Sequence, residues 1–201
     1  MSLFLFLSLI QSIQSNQLSV IIGIDEAGRG PLAGPVVAAA VYIPEKFDTS
    51  GVKDSKKVSP KKREELYLRI MGECQVGIGT IAPEEIDNLN ILQATMLAMR
   101  FASEDLSIQF DKVLVDGNRC PEIRNCESIV KGDDKFVEIS AASIIAKVTR
   151  DRVMMELAEK YPVYGFEHHK GYGTKAHLKA LETHGPIKGV HRFSFAPIRA
   201  S

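Results

Sequence analysis

Ile21-Ile22-Gly23-Ile24-Asp25-Glu26-Ala27-Gly28-Arg29-Gly30-Pro31 joins a β-branched run, which predicts a buried strand, to two adjacent carboxylates and a glycine-flanked arginine. Neighbouring acids repel each other unless they share a cation or a proton. Glycines around an arginine suit an anionic backbone, because bare amides approach it closely and the guanidinium carries the opposite charge. The combination points to metal-assisted phosphodiester chemistry at a strand end.

Outward from this stretch, strand-like runs fall at about 36–43, 75–81 and 112–116, and helical spacing at about 60–72, 84–102, 140–160 and 174–184. Gly34-Pro35 predicts a reversal between the first two strands. Ser59-Pro60 and Pro83 are helix starts, and Tyr161-Pro162 closes the long helix. Strands first, then alternating helices and strands, predict an α/β chain with a mixed central β-sheet flanked by α-helices. At 201 residues, 45% of them hydrophobic, the chain suffices for one well-buried domain, placed at 19–201. Residues 1–18 form an apolar extension expected to stand outside it. The Leu3–Ile10 run is too short for a membrane span, which needs about 20 residues, and no Lys or Arg precedes it as in a signal peptide.

Formal net charge is zero, yet the positive charge is concentrated. Residues 53–63 hold six Lys or Arg against one Asp, and residues 160–199 hold seven against two Glu, with all five histidines in addition. Two basic segments can grip a polyanion despite overall neutrality. Cys74, Cys120 and Cys126 match neither a zinc spacing nor a secreted disulfide framework, which favours reduced thiols in a cytoplasm.

A second acid ends the run Lys112-Val113-Leu114-Val115-Asp116-Gly117-Asn118. If its strand neighbours the first, Asp25 and Asp116 emerge at one sheet edge, where α/β folds build sites. Taken alone, Asp116 also fits an Asx turn. On the long helix, small residues from Ser140 to Ala146 permit close packing on the sheet and lead to Asp151, which is also spaced for an ion pair with Lys147. Asp25, Glu26, Asp116 and Asp151 together supply the oxygen donors that two Mg²⁺ or Mn²⁺ ions require.

Gly28 to Gly34 is not a dinucleotide fingerprint, since its last gap is three residues and Pro31 and Pro35 interrupt the required helix. A tight turn with a solvated arginine is the alternative to phosphate binding. His168-His169-Lys170-Gly171-Tyr172-Gly173-Thr174-Lys175 mixes bases, an aromatic ring and glycines, a composition suited to nucleic acid or to a solvated loop over a core tyrosine.

The run from Gly23 to Ala39 resembles the signature of bacterial ribonuclease HII. Asp54-Ser55-Lys56-Lys57, Val115-Asp116-Gly117-Asn118, Lys131-Gly132-Asp133, Ser140–Asp151, His169-Lys170-Gly171-Tyr172 and His191-Arg192-Phe193-Ser194-Phe195 follow in the family's order. The resemblance implies an RNase H-like fold with a small helical C-terminal part. It also implies a metal-dependent endonuclease that cuts the RNA strand of RNA–DNA hybrids and incises 5′ of single ribonucleotides in duplex DNA, leaving 3′-hydroxyl and 5′-phosphate ends. Asp25, Glu26, Asp116 and Asp151 match its metal-binding acids, with Mn²⁺ or Mg²⁺ as cofactor. Gly28, Arg29 and Gly30 match its loop that senses the ribose 2′-hydroxyl, and Tyr172 matches the tyrosine on the following deoxyribose. Lys56 and Lys170 are added as phosphate contacts. A cytoplasmic monomer without membrane attachment is expected, with a replication clamp as a further candidate partner. The absence of another domain before Asp25 disfavours the related ribonuclease HIII type, and a short C-terminus suggests modest duplex affinity. A catalytically silent nucleic-acid binder, or a protein anchored by residues 3–10, are the competing readings.

Overall fold

The computed structural model describes residues 19–52 and 58–199. The apolar extension 1–18 and the Asp54–Lys57 block, with Lys56, lie outside them. The elements run β1 (Ile21–Ala27), β2 (Val36–Tyr42), α1 (Pro60–Glu73), β3 (Gln75–Ile81), α2 (Pro83–Leu89), α3 (Ile91–Glu104), β4 (Lys112–Asp116), β5 (Cys126–Ile129), α4 (Val137–Lys160), α5 (Phe166–His169), α6 (Lys175–His184) and α7 (Ala196–Arg199). Single 3₁₀ turns occupy Gly132–Asp134 and Pro162–Tyr164.

The five strands form one mixed sheet in the order β3-β2-β1-β4-β5. β1 pairs antiparallel with β2 and parallel with β4, so the expected reversal after β1 and the expected adjacency of the two acid-ended strands are both present. One face, carrying Ile22, Ile24, Val113 and Val115, packs on Ala94, Ala98 and Met99 of α3. The other carries Ala39 and Val41 against Leu66 and Ile70 of α1 and Ala141, Ala142 and Ile145 of α4. A third cluster joins Ala33 and Met154 to Tyr164, Phe166, Ala180 and Val190, forming the small helical C-terminal part.

Gly23 sets how closely α4 approaches. A Cβ there would lie 2.2 Å from the Glu138 carbonyl carbon, so the helix start rests directly on the β1 backbone. Ser59 caps α1 by accepting from the Lys62 amide, with Pro60 in the first turn.

Two expectations change. The helical spacing over 84–102 is broken at Asn90, whose φ of 72° ends α2 and whose side-chain oxygen accepts from the Leu92 and Gln93 amides to start α3. Asn tolerates that backbone and caps as well, so apolar periodicity runs straight across the break. β5 is additional. It is a four-residue edge strand with two polar residues, too short to show a period.

Candidate active site

Register places the acids. Ile24 of β1 lies opposite Val115 of β4, so Asp25 and Asp116, one residue further on, leave the sheet side by side at its carboxyl edge. Asp25 is buried, at 6% exposure, hydrogen-bonds the Ser143 side chain of α4 and accepts from the Glu26 amide at 2.7 Å. Burial holds Asp25 well above the ordinary carboxylate range, and the charges of Glu26 and Asp116 push it the same way. Burial raises Glu26 too, with Asp116 adding to it and the Arg29 guanidinium, 3.2 Å away, opposing it. The edge therefore concentrates more negative charge than its own cations neutralise. Glu26, Arg29 and Asp116 line one groove of about 280 Å³ with Gly117, Asn118 and Arg119.

Asp116 accepts the Gly132 amide at 2.6 Å. The next residue, Asp133, is buried at this same edge with its carbonyl held by the Ser140 hydroxyl. β5, parallel to β4, carries the chain there. Lys131-Gly132-Asp133 enters the sequence reading only as a matching block, without its carboxylate. The signal that could find it is an acid directly after a glycine that follows a short strand.

Asp151 does not join this group. It stands eight residues beyond Ser143 on α4, about 12 Å along the helix axis, and both of its carboxylate oxygens receive the Lys147 ammonium at 2.5 Å. The ion pair that the spacing also allowed is the arrangement present.

A larger cavity of about 440 Å³ opens beside the acids. It brings Gly28, Arg29, Gly30 and Tyr172 together, with Glu26 on its wall. Gly30 lies against the half-exposed Tyr172 ring, where a Cβ would sit 3.4 Å from Cε1. Arg63 of α1 and Lys147 of α4 also line the cavity; sequence spacing marks Lys147 only as an ion-pair partner of Asp151 and Arg63 only as part of a basic segment. Lys170 does not line it, and its ammonium donates to the Glu167 carbonyl and contacts the Met155 sulfur.

Behind Tyr172 runs a directed chain of imidazoles. The Ile187 amide donates to His191 Nδ1 at 2.9 Å, which puts the His191 proton on Nε2. Nε2 of His191 donates to Nε2 of His177 at 3.2 Å, and Nδ1 of His177 donates to the Tyr172 carbonyl at 3.0 Å. Both rings are buried. Burial lowers His177 and takes His191 to about 4, with the facing His177 ring adding to the second shift. Both folded values lie below the unfolded value of about 6.5, so the unfolded chain binds more protons as pH falls. The stability these rings contribute is complete above about pH 6.5 and is lost as pH falls toward 4. Thermal melts should show the midpoint dropping across that window, with the drop reduced in His191→Gln. A wild-type midpoint that stays flat from about pH 7 to 4.5 would contradict the buried neutral pair.

Comparison with known proteins follows the same lines. The Ribonuclease HII family profile matches residues 22–198. A Ribonuclease HII of Bacillus thuringiensis (strain Al Hakam) is 53% identical over 189 residues, covering 94% of this chain and 73% of the relative. Ribonuclease H2 from Pyrococcus horikoshii OT3 superposes with a TM-score of 0.76 at 29% identity, over 90% of this chain and 95% of that one. The RNase HII chain of the PCNA:RNase HII complex from Archaeoglobus fulgidus gives 0.73 at 29% identity, over 88% and 95%.

Proposed function

The chain belongs to the ribonuclease HII family and is a type 2 ribonuclease H endonuclease, and from that premise we propose that it cuts the RNA strand of RNA–DNA hybrids and incises 5′ of a single ribonucleotide in duplex DNA. The products carry 3′-hydroxyl and 5′-phosphate ends. The observation that carries this reading is the continuity of the two sites: Glu26 belongs both to the acid groove and to the cavity lined by Gly28, Arg29, Gly30 and Tyr172.

The donors suit a hard divalent cation. They are all carboxylate oxygens; burial raises Asp25 and Glu26, neighbouring acids add to it, and a bound cation would favour the charged form of each. Among the described residues no three His, Cys, Asp or Glu side chains are arranged to hold an ion by themselves. Asp25, Glu26, Asp116 and Asp133 would hold two Mg²⁺ or Mn²⁺ ions, which when bound would supply an activated water and neutralise charge on the departing 3′-oxygen. The protein's own groups do the positioning. Amides of the Gly28-Arg29-Gly30 loop bind the 2′-hydroxyl, the one sugar group that separates RNA from DNA. The Tyr172 ring packs on the next deoxyribose, while Arg29, Arg63 and Lys147 meet phosphates from the cavity wall. Lys56 and Lys170 are proposed as further phosphate contacts. Asp151 keeps Lys147 in place through their ion pair.

We extend the same reading to a cytoplasmic monomer. A sliding clamp is proposed as a partner because the Archaeoglobus fulgidus relative was solved in complex with PCNA. Among the described residues no helix is long and apolar enough to cross a membrane.

Cleavage of a labelled DNA duplex holding one ribonucleotide, with Mg²⁺, Mn²⁺ or EDTA and beside an all-DNA duplex, tests the function. Incision 5′ of the ribonucleotide is expected with metal, and none with EDTA or in the all-DNA duplex. Tight binding without incision under either metal would instead identify a silent nucleic-acid-binding protein.

A further inference from the structure

Two buried guanidinium groups hold the backbone of residues 28–35, Arg192 from outside the cavity lining and Arg150 from the cavity wall itself. Arg192 is fully buried; its Nη2 donates to the Gly28 carbonyl at 2.6 Å and to Gly34 at 2.8 Å, its Nη1 to Arg29 at 3.1 Å and its Nε to Gly34 at 3.0 Å. Arg150, also buried, donates from Nε to Pro35 at 3.0 Å, from Nη2 to Ala33 at 3.0 Å and from Nη1 to Lys170 at 3.1 Å. Among the described residues neither forms an ion pair with a carboxylate. Desolvation makes two such cations costly, and each also repels the other. A turn needing only to be filled would be served more cheaply by apolar side chains.

What the pair fixes is direction. In a trans peptide the carbonyl and the following N–H point opposite ways, and no cis bond occurs among the described residues. With the Gly28 and Arg29 carbonyls turned in to Arg192, the Arg29 and Gly30 N–H groups turn out, toward the cavity that those residues line. Gly28 adopts φ of 98°, and a Cβ there would fall 2.1 Å from Arg150 Nε, so the same clamp dictates the glycine. Arg150 reaches the other wall as well, since the Leu32 amide donates to Gly171 and Lys170 is held directly, two residues before Tyr172.

We infer that Arg192, seconded by Arg150, is a positioning residue for sugar discrimination: its forked grip on the Gly28 and Arg29 carbonyls aims two consecutive amides at the ribose 2′-hydroxyl. This rests on the function proposed above. Lysine keeps the charge, but its three donors radiate from one nitrogen, so it does not reproduce the four bonds that Arg192 spreads over Nε, Nη1 and Nη2. A released peptide is free to rotate and to misaim its amide.

The test compares wild type, Arg192→Lys and Arg150→Lys on the single-ribonucleotide duplex, with circular dichroism melts to select a temperature at which every variant is folded. Binding of the ribonucleotide and all-DNA duplexes is measured in parallel with Ca²⁺ in place of the catalytic metal. Arg192→Lys should lose about 10²-fold in kcat, the effect of a small misplacement at a reacting centre. It should also lose its preference for the ribonucleotide duplex, with all-DNA affinity unchanged. Arg150→Lys, which leaves the Gly28 and Arg29 carbonyls in Arg192's grip, should show a smaller but measurable selective loss of about tenfold. Retained kcat and ribose preference in folded Arg192→Lys would overturn the inference, as would equal loss of affinity for both duplexes, the mark of a merely structural role. If Arg192→Lys does not fold at any assay temperature, an Arg150→Lys enzyme with wild-type kcat and ribose preference overturns the part assigned to the clamp, and a selective loss upholds it. Failure of the wild type to incise would count against the function and not against the clamp.

Discussion

Replacing Asp116 by Asn is expected to abolish incision while leaving hybrid binding intact. Asn has almost the same shape, and its side-chain oxygen can still accept the Gly132 amide that Asp116 Oδ1 accepts at 2.6 Å, so the β4 edge keeps its structure. What disappears is a negative charge beside Asp25 and Glu26. Loss of one preorganised charged group at a phosphoryl centre costs on the order of 10³ in rate, or roughly 4 kcal/mol. Single-turnover cleavage in Mg²⁺ or Mn²⁺ should show that loss, while anisotropy gives a hybrid Kd within about threefold of wild type, because phosphate grip comes from the cations. Binding lost together with activity would count against the assignment. Stability supplies a second sign. The Asp25 carboxyl is raised in the folded state, so the folded protein holds an extra proton above about pH 4, and stability declines as pH rises through that window. Burial is the main cause of that shift and the Asp116 charge a smaller one, so metal-free Asp116→Asn should melt no lower than wild type at neutral pH.

The parts of the fold that could be read beforehand are those decided within a few residues. The β-branched run of β1, the Val and Ala run of β2 and the Val-Leu-Val of β4 are buried strands because their side chains face helices on both sides of the sheet. Ser59-Pro60 starts α1 through its own cap. The acids at strand ends were legible for the same reason, and Asp25 and Asp116 emerge together only because β1 and β4 are parallel neighbours in register. Where tertiary contact decides, local pattern was silent. Asn90 divides a continuous apolar period because its backbone turns, and β5 exists because β4 offers it an edge. Arg150 and Arg192 looked like members of a helix and of a basic segment. Apart from the Lys170 carbonyl held by Arg150, their partners lie in the loop after β1, more than a hundred residues away in sequence, and no spacing rule connects a guanidinium to a distant carbonyl.

Asp133 and Asp151 separate the local reading from the tertiary one, and substituting each by Asn should have opposite results. Helical spacing offers Asp151 as a ligand, yet its place on α4 lies about 12 Å along the axis from the Ser143 that bonds Asp25. Its charge is already met by Lys147. A partly exposed i,i+4 pair is worth a few tenths of a kcal/mol, so Asp151→Asn should keep cleavage within about threefold and lose little stability. Asp133 is buried next to the glycine whose amide binds Asp116, at the edge where Asp25 and Glu26 already meet. Removing its charge should cost on the order of 10³ in rate, comparable to Asp116→Asn. Metal titration of the thermal midpoint distinguishes the two without any substrate. Mn²⁺ should stabilise wild type and Asp151→Asn alike, since a cation that binds only the folded state raises its stability by mass action. Asp133→Asn should need markedly more metal for the same rise. If Asp133→Asn retains both cleavage and metal response while Asp151→Asn loses them, the acids of this edge act with a partner on α4, and the fourth carboxylate is the one the helix carries.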